Sequence, residues 1–241
     1  MLKYCISVLV LLMSYSTLAQ ITIEEQNEAT LDTVVYKEKY GLRLGGDVYK
    51  LVRTVLDDNY SGFEINGDYR LTKKMYVAGE IGFEERTTST DFINSTAKGS
   101  YFKAGVDYNF YQNWFGMENM IYGGLRVGVA SFSQTINSYT IFNTNQSFPQ
   151  QTVTDGPEFN GLTAIWSELI IGLKAETLNN LYVGINVQFK GRITETEPDN
   201  FENLFIPGFD RTYDSGRFGI GLGYNVSYLI PLYKKDKKVT Q

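Results

Sequence analysis

The feature that most constrains this chain is a strict alternation of apolar and polar residues, clearest from Ser61 to Arg70. In that stretch, charged or amide residues alternate with Phe63, Ile65, Gly67 and Tyr69. Period-two alternation is typical of a β-strand with one apolar and one polar face. The pattern returns about eight times along the chain, so the sequence predicts an all-β fold.

We predict eight strands from this pattern. They are Tyr40–Arg53, Ser61–Arg70, Met75–Arg86, Phe102–Phe110, Ile121–Phe132, Ile165–Lys174, Leu181–Arg192 and Arg217–Tyr228. The predicted connections alternate between two sets. One set is short, at 72–74, 112–119 and 177–180. The other set is longer, at 87–98, 133–161 and 194–214, apart from the short connection at 54–60. This alternation predicts an antiparallel eight-stranded transmembrane β-barrel with short periplasmic turns and longer extracellular loops. The alternative is a soluble lipocalin-like barrel with its apolar face inward.

The chain begins like an exported protein. Lys3 precedes an apolar run from Cys5 to Met13, and Thr17 and Ala19 occupy small-residue cleavage positions. We therefore predict a signal peptide over 1–19, a periplasmic extension over 20–38, the barrel over 39–233 and a basic tail over 234–241. Localisation in the outer membrane follows from export combined with the strand pattern. Thr33 lies in a short stretch that resembles a periplasmic O-glycosylation site of Bacteroidota.

Composition argues against several classes of function. Cleavage of the signal removes Cys5, the single cysteine, and the chain contains no histidine. Lys3 leaves too, so 22 basic residues become 21 against 27 acidic ones, a net charge of −6. A nucleic-acid partner is not expected, because it would need a basic face. A histidine base for barrel hydrolases is missing, so we expect no enzyme activity and no cofactor or metal.

The polar face of the strands carries acids and bases in similar numbers. In a narrow barrel these side chains must pair with one another, because an unpaired buried ion costs several kcal/mol. We expect a charge network that fills the lumen rather than a selective conduit. Its predicted members are Arg43, Asp47, Glu64, Asp68, Arg70, Glu80, Glu84, Arg86, Lys103, Asp107, Arg126, Glu168, Lys174, Lys190, Arg192 and Arg217.

Aromatic residues are expected at two further places. A periplasmic rim is predicted from Tyr108, Phe110, Tyr111, Trp114, Phe115, Tyr228 and Tyr233, because such rings favour the membrane interface. The acidic loop at 195–210 carries apolar residues that form either a partner-contact surface or a cap folded over the barrel. The candidate contact residues are Phe201, Leu204, Phe205 and Phe209.

Over nearly its whole mature length the chain resembles the small eight-stranded outer-membrane barrels, by architecture rather than by a short motif. It is similar in particular to a Bacteroidota family of such proteins to which no catalytic residues are assigned. The resemblance implies lipid and envelope proteins as partners. We expect a non-enzymatic accessory subunit of a larger complex, such as barrel-assembly or export machinery. The alternatives are a free-standing structural or adhesion barrel and a lipid-modifying barrel enzyme.

Overall fold

The predicted all-β architecture is confirmed, because eight antiparallel strands close into a ring. A computed structural model describes residues 35–111, 118–141, 149–212 and 216–238. The predicted signal peptide, most of the predicted periplasmic extension and Thr33 lie outside the described residues. Residues 35–237 form one compact unit.

Eleven strands and one helix make up the described part of the chain. Their bounds are β1 Val35–Asp47, α1 Val48–Leu56, β2 Tyr60–Arg70, β3 Met75–Ser89, β4 Ile93–Asn109, β5 Met120–Ile141, β6 Gln151–Thr154, β7 Glu158–Leu178, β8 Leu181–Glu195, β9 Phe205–Ile206, β10 Asp210–Arg211 and β11 Phe218–Lys238. Around the ring the order is β1, β2, β3, β4, β5, β7, β8, β11 and back to β1. Strand β6 pairs with the end of β5, and β9 pairs with β10.

The connections divide between the two ends of the ring. One end, called the turn end, carries the connections at 71–74, 110–119 and 179–180. The other, called the loop end, carries those at 48–59, 90–92, 142–157 and 196–217. Among the described helices, none has the length and apolar character needed to cross a membrane.

Side chains alternate between the outside and the inside of the ring, as β7 illustrates. Its exposed side chains include Leu169, Ile171 and Leu173, whereas Glu168 and Lys174 between and beside them are buried. Residues two apart in a strand share one face, so the apolar face of β7 points outward. The outside of the ring is therefore mainly apolar, whereas the charged side chains of its strands lie inside together with apolar ones such as Trp166 and Ile170.

The first predicted strand is wrong in its second half. Strand β1 ends at Asp47, and residues 48–56 form α1. The Asp47 carboxylate accepts hydrogen bonds from the backbone N–H groups of Tyr49 and Lys50, so it caps the helix N-terminus. A cap of this kind satisfies backbone donors that a strand would pair with a neighbour, and it explains why β1 stops there.

Several strands extend farther than predicted. Residues 87–98, predicted as a loop, lie largely in β3 and β4 and are joined by a connection of three residues at 90–92. Thr87 pairs with Thr96 across this hairpin, and their hydroxyl oxygens lie 2.9 Å apart. Thr, Ser and Asn occupy most positions on both faces here, so the alternation used for prediction is lost although the strands continue. Strand β11 likewise runs through residues 234–238 of the predicted tail.

Candidate functional site in the lumen and at the loop end

Most of the predicted charge network is buried inside the ring. The buried members are Arg43, Asp47, Glu64, Asp68, Arg70, Glu84, Lys103, Asp107, Arg126, Glu168, Lys174 and Lys190, six acids and six bases. Glu80 also joins the network, because its carboxylate lies 2.7 Å from Lys103 Nζ. Balanced charge at short distances is what a water-poor interior requires.

Three predicted members lie outside this network. Arg217 is exposed because it precedes the first residue of β11 and so stands outside the alternation. Arg192 pairs with Glu195 at 2.6 Å, beside a register shift between β7 and β8 that breaks the alternation locally. Arg86 is half-buried at the loop end, 3.9 Å from Asp210.

Near the turn end the lumen is filled by side chains of the strands themselves. The Arg43 guanidinium donates to both carboxylate oxygens of Asp68 at 2.8–3.1 Å, and Lys174 Nζ donates to the same carboxylate at 2.7 Å. The guanidinium also lies 4.6 Å from the centre of the Tyr182 ring, and Lys174 Nζ lies 5.0 Å from the Tyr122 ring. Each cation therefore has a carboxylate and an aromatic face as partners.

In the middle of the lumen Lys103 is the central cation. Its Nζ lies 2.7 Å from Glu80, 3.4 Å from Glu64 and 3.7 Å from Glu168. Only 1% of its side chain is exposed. Glu168 in turn accepts a hydrogen bond from the indole N–H of Trp166 at 2.7 Å. One ammonium group on β4 thus connects β2, β3 and β7.

Toward the loop end, α1 supplies a cation that the sequence interpretation missed. Lys50 Nζ lies 2.8 Å from Glu84 and 3.2 Å from Glu64, and it donates to the Tyr101 hydroxyl at 2.5 Å. Burial alone would lower the pKa of Lys50, but the two carboxylates outweigh burial and raise this pKa well above its usual value. A strand that continued to Arg53 would direct Tyr49 rather than Lys50 into the lumen, because Asp47 and Tyr49 would share a face, so only recognition of the Asp47 cap could have revealed Lys50.

The acidic loop folds into the barrel mouth, so the prediction that Phe205 and Phe209 form a partner-contact surface is wrong. Each is 1% exposed, whereas Phe201 and Leu204 are half-buried. The Phe209 ring meets Trp166 edge to face, with ring centres 6.1 Å apart. An apolar loop segment avoids water by entering the space that the strands leave open.

Polar contacts fix this loop segment in place. The Gly208 N–H donates to Glu84 at 2.5 Å, and Lys190 Nζ donates to the carbonyl oxygens of Gly208 and Phe209 at 2.8 and 3.2 Å. Residues 201–211 are called the plug from here on. Because Glu84 also binds Lys50, the plug and α1 share one anchor.

In the described part of the chain, a cavity of about 20 Å³ lies inside the ring between polar side chains that include Asp47, Glu80, Arg126 and Asn225. This volume holds about one water molecule. Among the described residues no group of three or more histidine, cysteine or acidic side chains is placed to hold a metal ion.

A family comparison matches nearly the whole chain. A family model described as a domain of unknown function, DUF6048, matches residues 1–235. The chain belongs to the DUF6048 family. None of the curated proteins matches it. In this DUF6048 chain the matched range takes in the whole of β1 to β10 and most of β11, and therefore the residues of the lumen network and of the plug.

The outer wall of this DUF6048 ring carries an apolar belt of even height. Outward residues that are apolar, apart from Ser167, run from 102 to 110 on β4 and just beyond its end, from 121 to 129 on β5 and from 165 to 173 on β7, nine residues each. Neighbouring borders are in register, because Phe102 pairs with Val129 and Val129 with Ile165. Of the predicted rim aromatics, Tyr108, Phe110, Tyr111, Tyr228 and Tyr233 are exposed, and Trp114 and Phe115 lie outside the described residues.

Above the belt, toward the loop end, the outer face of the same strands becomes polar. On β4 the outward residues next to Phe102 are Ser100 and Lys98, and on β5 those beyond Val129 are Ser131 and Ser133. The change occurs at one level on both strands, since Ser100 pairs with Ser131. This sharp border separates an apolar zone from a polar one on a continuous sheet.

Proposed function

We propose that this chain is an outer-membrane β-barrel with a closed lumen that acts as a non-enzymatic accessory subunit of a larger envelope complex. One observation carries the membrane part of the proposal: the apolar side chains face out and the charges face in. Exposed apolar surface that surrounds a protein is costly in water and stabilising in lipid. The resemblance to the small outer-membrane barrels agrees with this reading but stays a prediction.

The belt has the dimensions that a bilayer needs. A transmembrane β-strand takes about 9–11 residues to cross the hydrocarbon core. The nine-residue belts of β4, β5 and β7 meet that requirement, and exposed aromatic residues lie at the turn-end border. In the proposed orientation the turn end is periplasmic and the polar strand extensions project from the outer leaflet.

The filled lumen supports an accessory role. Its cations and carboxylates contact one another, and the cavity of about 20 Å³ is too small for a solute larger than water. A protein without a conduit offers its outer wall, its loops and its ends for recognition. We therefore place its function in contacts with other envelope components.

Fractionation tests the membrane part of the proposal. The full chain, expressed with its own signal in a diderm host, is expected in the outer-membrane fraction and to migrate faster on gels when it is not heated. Recovery as a soluble periplasmic protein would support the lipocalin-like alternative instead.

Purification in mild detergent tests the accessory part. The tagged chain, expressed at its native level, is expected to recover the same protein partners in fixed proportion. Migration as a single chain at every detergent concentration would contradict the subunit role while leaving the membrane location intact.

A second function, adhesion by a free-standing barrel, is favoured by the polar strand extensions at the loop end. They present Thr and Asn side chains outward, and Asn137 Nδ2 donates to Asn94 and Thr96 at 2.6 and 2.9 Å. Replacement of 90–92 and 142–157 by short Gly-Ser linkers is expected to reduce surface attachment under this hypothesis. Unchanged surface attachment would contradict the adhesion hypothesis.

A further inference from the structure

Strand β11 extends past the end of its neighbour β1 at the loop end. Gly41 lies against Ile230 and Pro231, and Gly45 lies against Val226 and Ser227. In the β4–β5 pair the same contact pattern accompanies the pairing of Gly105 with Arg126, so Gly41 is opposite Pro231 and Gly45 is opposite Ser227. This register places Asp47, the last residue of β1, opposite Asn225. Residues 218–224 of β11 therefore lie beyond the end of β1, where the chain has turned into α1.

The backbone of this segment points hydrogen-bonding groups toward the missing neighbour. The Arg192 N–H donates to the Arg217 carbonyl at 2.7 Å, which sets the phase of the ladder with β8. In an antiparallel pair alternate residues bond to the same neighbour. The odd-numbered residues thus bond to β8, and Phe218, Ile220 and Leu222 direct their N–H and C=O groups to the other side.

Side-chain exposure shows the same asymmetry. The outward side chains of Phe218 and Ile220 are 79 and 69% exposed, more than Leu125 at 60% and Ile171 at 55%, which lie on strands with a neighbour on both sides. Leu222 at 59% and Tyr224 at 44% lie within the range of such flanked residues. Among the described residues, no strand covers Phe218 and Ile220 on the β1 side.

Beyond the end of β1, α1 lies next to β2 in the position that a longer β1 would occupy. Thr54 Oγ1 accepts from the Gly62 N–H at 2.8 Å, and its one proton is directed at the carbonyls of Lys50 at 2.9 Å and Gly62 at 3.0 Å, so the hydroxyl ties α1 to the edge of β2. Among the described residues, the side-chain hydrogen bonds and ion pairs of α1 with other elements go to β2, β3, β4 and Asp210. None of them reaches β11.

We propose that the edge of β11 at 218–224, to which no strand in the described part of the chain is bonded, binds a β-strand of another envelope protein by strand addition. This inference rests on the proposed membrane location and specifies the partner contact of the accessory role. In lipid an unpaired strand edge is strongly unfavourable, whereas in water it would be tolerated. The site continues the β1–β11 ladder directly, so an added strand would bond to β11 in the position that β1 leaves open.

The direction of the ladder favours a different protein over a second copy, because the described strand pairs of the ring are antiparallel and parallel pairing is less stable. β11 runs from the loop end to the turn end, so an antiparallel partner must run toward the loop end. A second copy in the same membrane and orientation would present its own β11 edge in the parallel direction. Within this chain, the segment that continues β1 is already folded as α1. The added strand needs about six residues with apolar side chains toward lipid.

A proline at Ile220 isolates the edge from the rest of the barrel. The Ile220 N–H faces the gap, so Ile220→Pro removes one edge donor and leaves the ladder to β8 intact. Ile220→Ala is the matched control, because it keeps the donor and removes most of the side chain. Loss of the edge bond is expected to lower the amount of partner that co-purifies by about tenfold, whereas the alanine variant retains it.

Photo-cross-linking locates the contact in whole cells. A photoreactive residue at Leu222 is expected to give an adduct with another protein, and one at Val106 on the opposite wall gives none. Equal adducts at both positions, an adduct only with a second copy, only lipid adducts, or equal binding by the proline and alanine variants would each overturn the proposal. Outer-membrane recovery of both variants, measured in parallel, distinguishes this failure from failure of the membrane location.

Discussion

The two halves of the lumen are filled in different ways. Near the turn end, strand side chains such as Arg43, Asp68 and Lys174 fill the space by pairing across the ring. Near the loop end, the filling comes from segments outside the ring strands, Lys50 of α1 and Phe209 of the plug. The first half depends on the alternation within each strand, and the second depends on long-range folding of connections onto the barrel.

This difference indicates how each half responds to perturbation. A side chain held by the ring cannot leave without opening strands that are bonded on both sides. A segment inserted into the mouth can detach by itself, since local opening needs less free energy than global unfolding. The ring-built half should therefore control global stability and the inserted half local dynamics.

The largest effect is expected at Lys103, inside the ring. Lys103→Met leaves three nearby carboxylates without their shared cation, and it should lower the free energy of unfolding by about 3–5 kcal/mol. The control is Lys98→Met on the outer face of the same strand, with an expected change below about 0.5 kcal/mol. Urea unfolding in detergent micelles, followed by tryptophan fluorescence, measures both. Equal changes in the two variants would contradict a charge-filled lumen.

The next effect is expected at Glu84, where the ring and the inserted segments meet. Glu84→Gln keeps the shape but weakens the contacts with Lys50, Tyr60 and Gly208. Hydrogen bonds to a charged group contribute about 1.5–3 kcal/mol, so a loss of about 2 kcal/mol is expected. Glu85→Gln, on the neighbouring outward position, is the matched control for the same unfolding measurement. If Glu84→Gln leaves the free energy of unfolding unchanged, the contacts of Glu84 with α1 and the plug do not stabilise the protein.

A smaller effect is expected where α1 replaces a strand. Thr54→Val is nearly isosteric but removes the hydrogen bonds that the hydroxyl forms with Gly62, and a loss of about 1 kcal/mol follows from the usual net contribution of such bonds. Thr194→Val, at an exposed position of β8, controls for hydroxyl removal. If thermal unfolding midpoints of the two variants coincide, α1 does not stabilise the edge of β2.

The smallest global effect is expected in the plug. Phe209→Ala should change global unfolding by less than about 1 kcal/mol, because the plug can open while the ring stays closed. Tryptic cleavage after the exposed Arg211 should nevertheless accelerate by about threefold, the rise in the open population that about 0.7 kcal/mol produces. Phe92→Ala at the exposed hairpin turn is the control. A large loss of global stability without faster cleavage would show that the plug is part of the ring's cooperative unit.

The same contrast explains what the sequence could predict. Alternation located the ring strands and placed residues such as Asp68 and Lys103 correctly, because the period of two holds wherever one face is apolar. It failed where this contrast disappears, as at Thr87 and Thr96, which are polar on a strand that continues. It also failed where tertiary contacts decide, because a single capping contact made Lys50 helical and the open barrel mouth drew Phe205 inward.

Spin-label accessibility tests the central claim most directly. The mature chain contains no cysteine if the signal is cleaved as predicted, so labels can be placed singly at Val106, Leu125 and Ile185 in the apolar belt and at Lys98 above it. In reconstituted vesicles the three belt labels are expected to be more accessible to oxygen than to a water-soluble nickel complex, and the Lys98 label to show the reverse. Preferential access of the nickel complex to the belt labels would contradict a barrel that faces lipid.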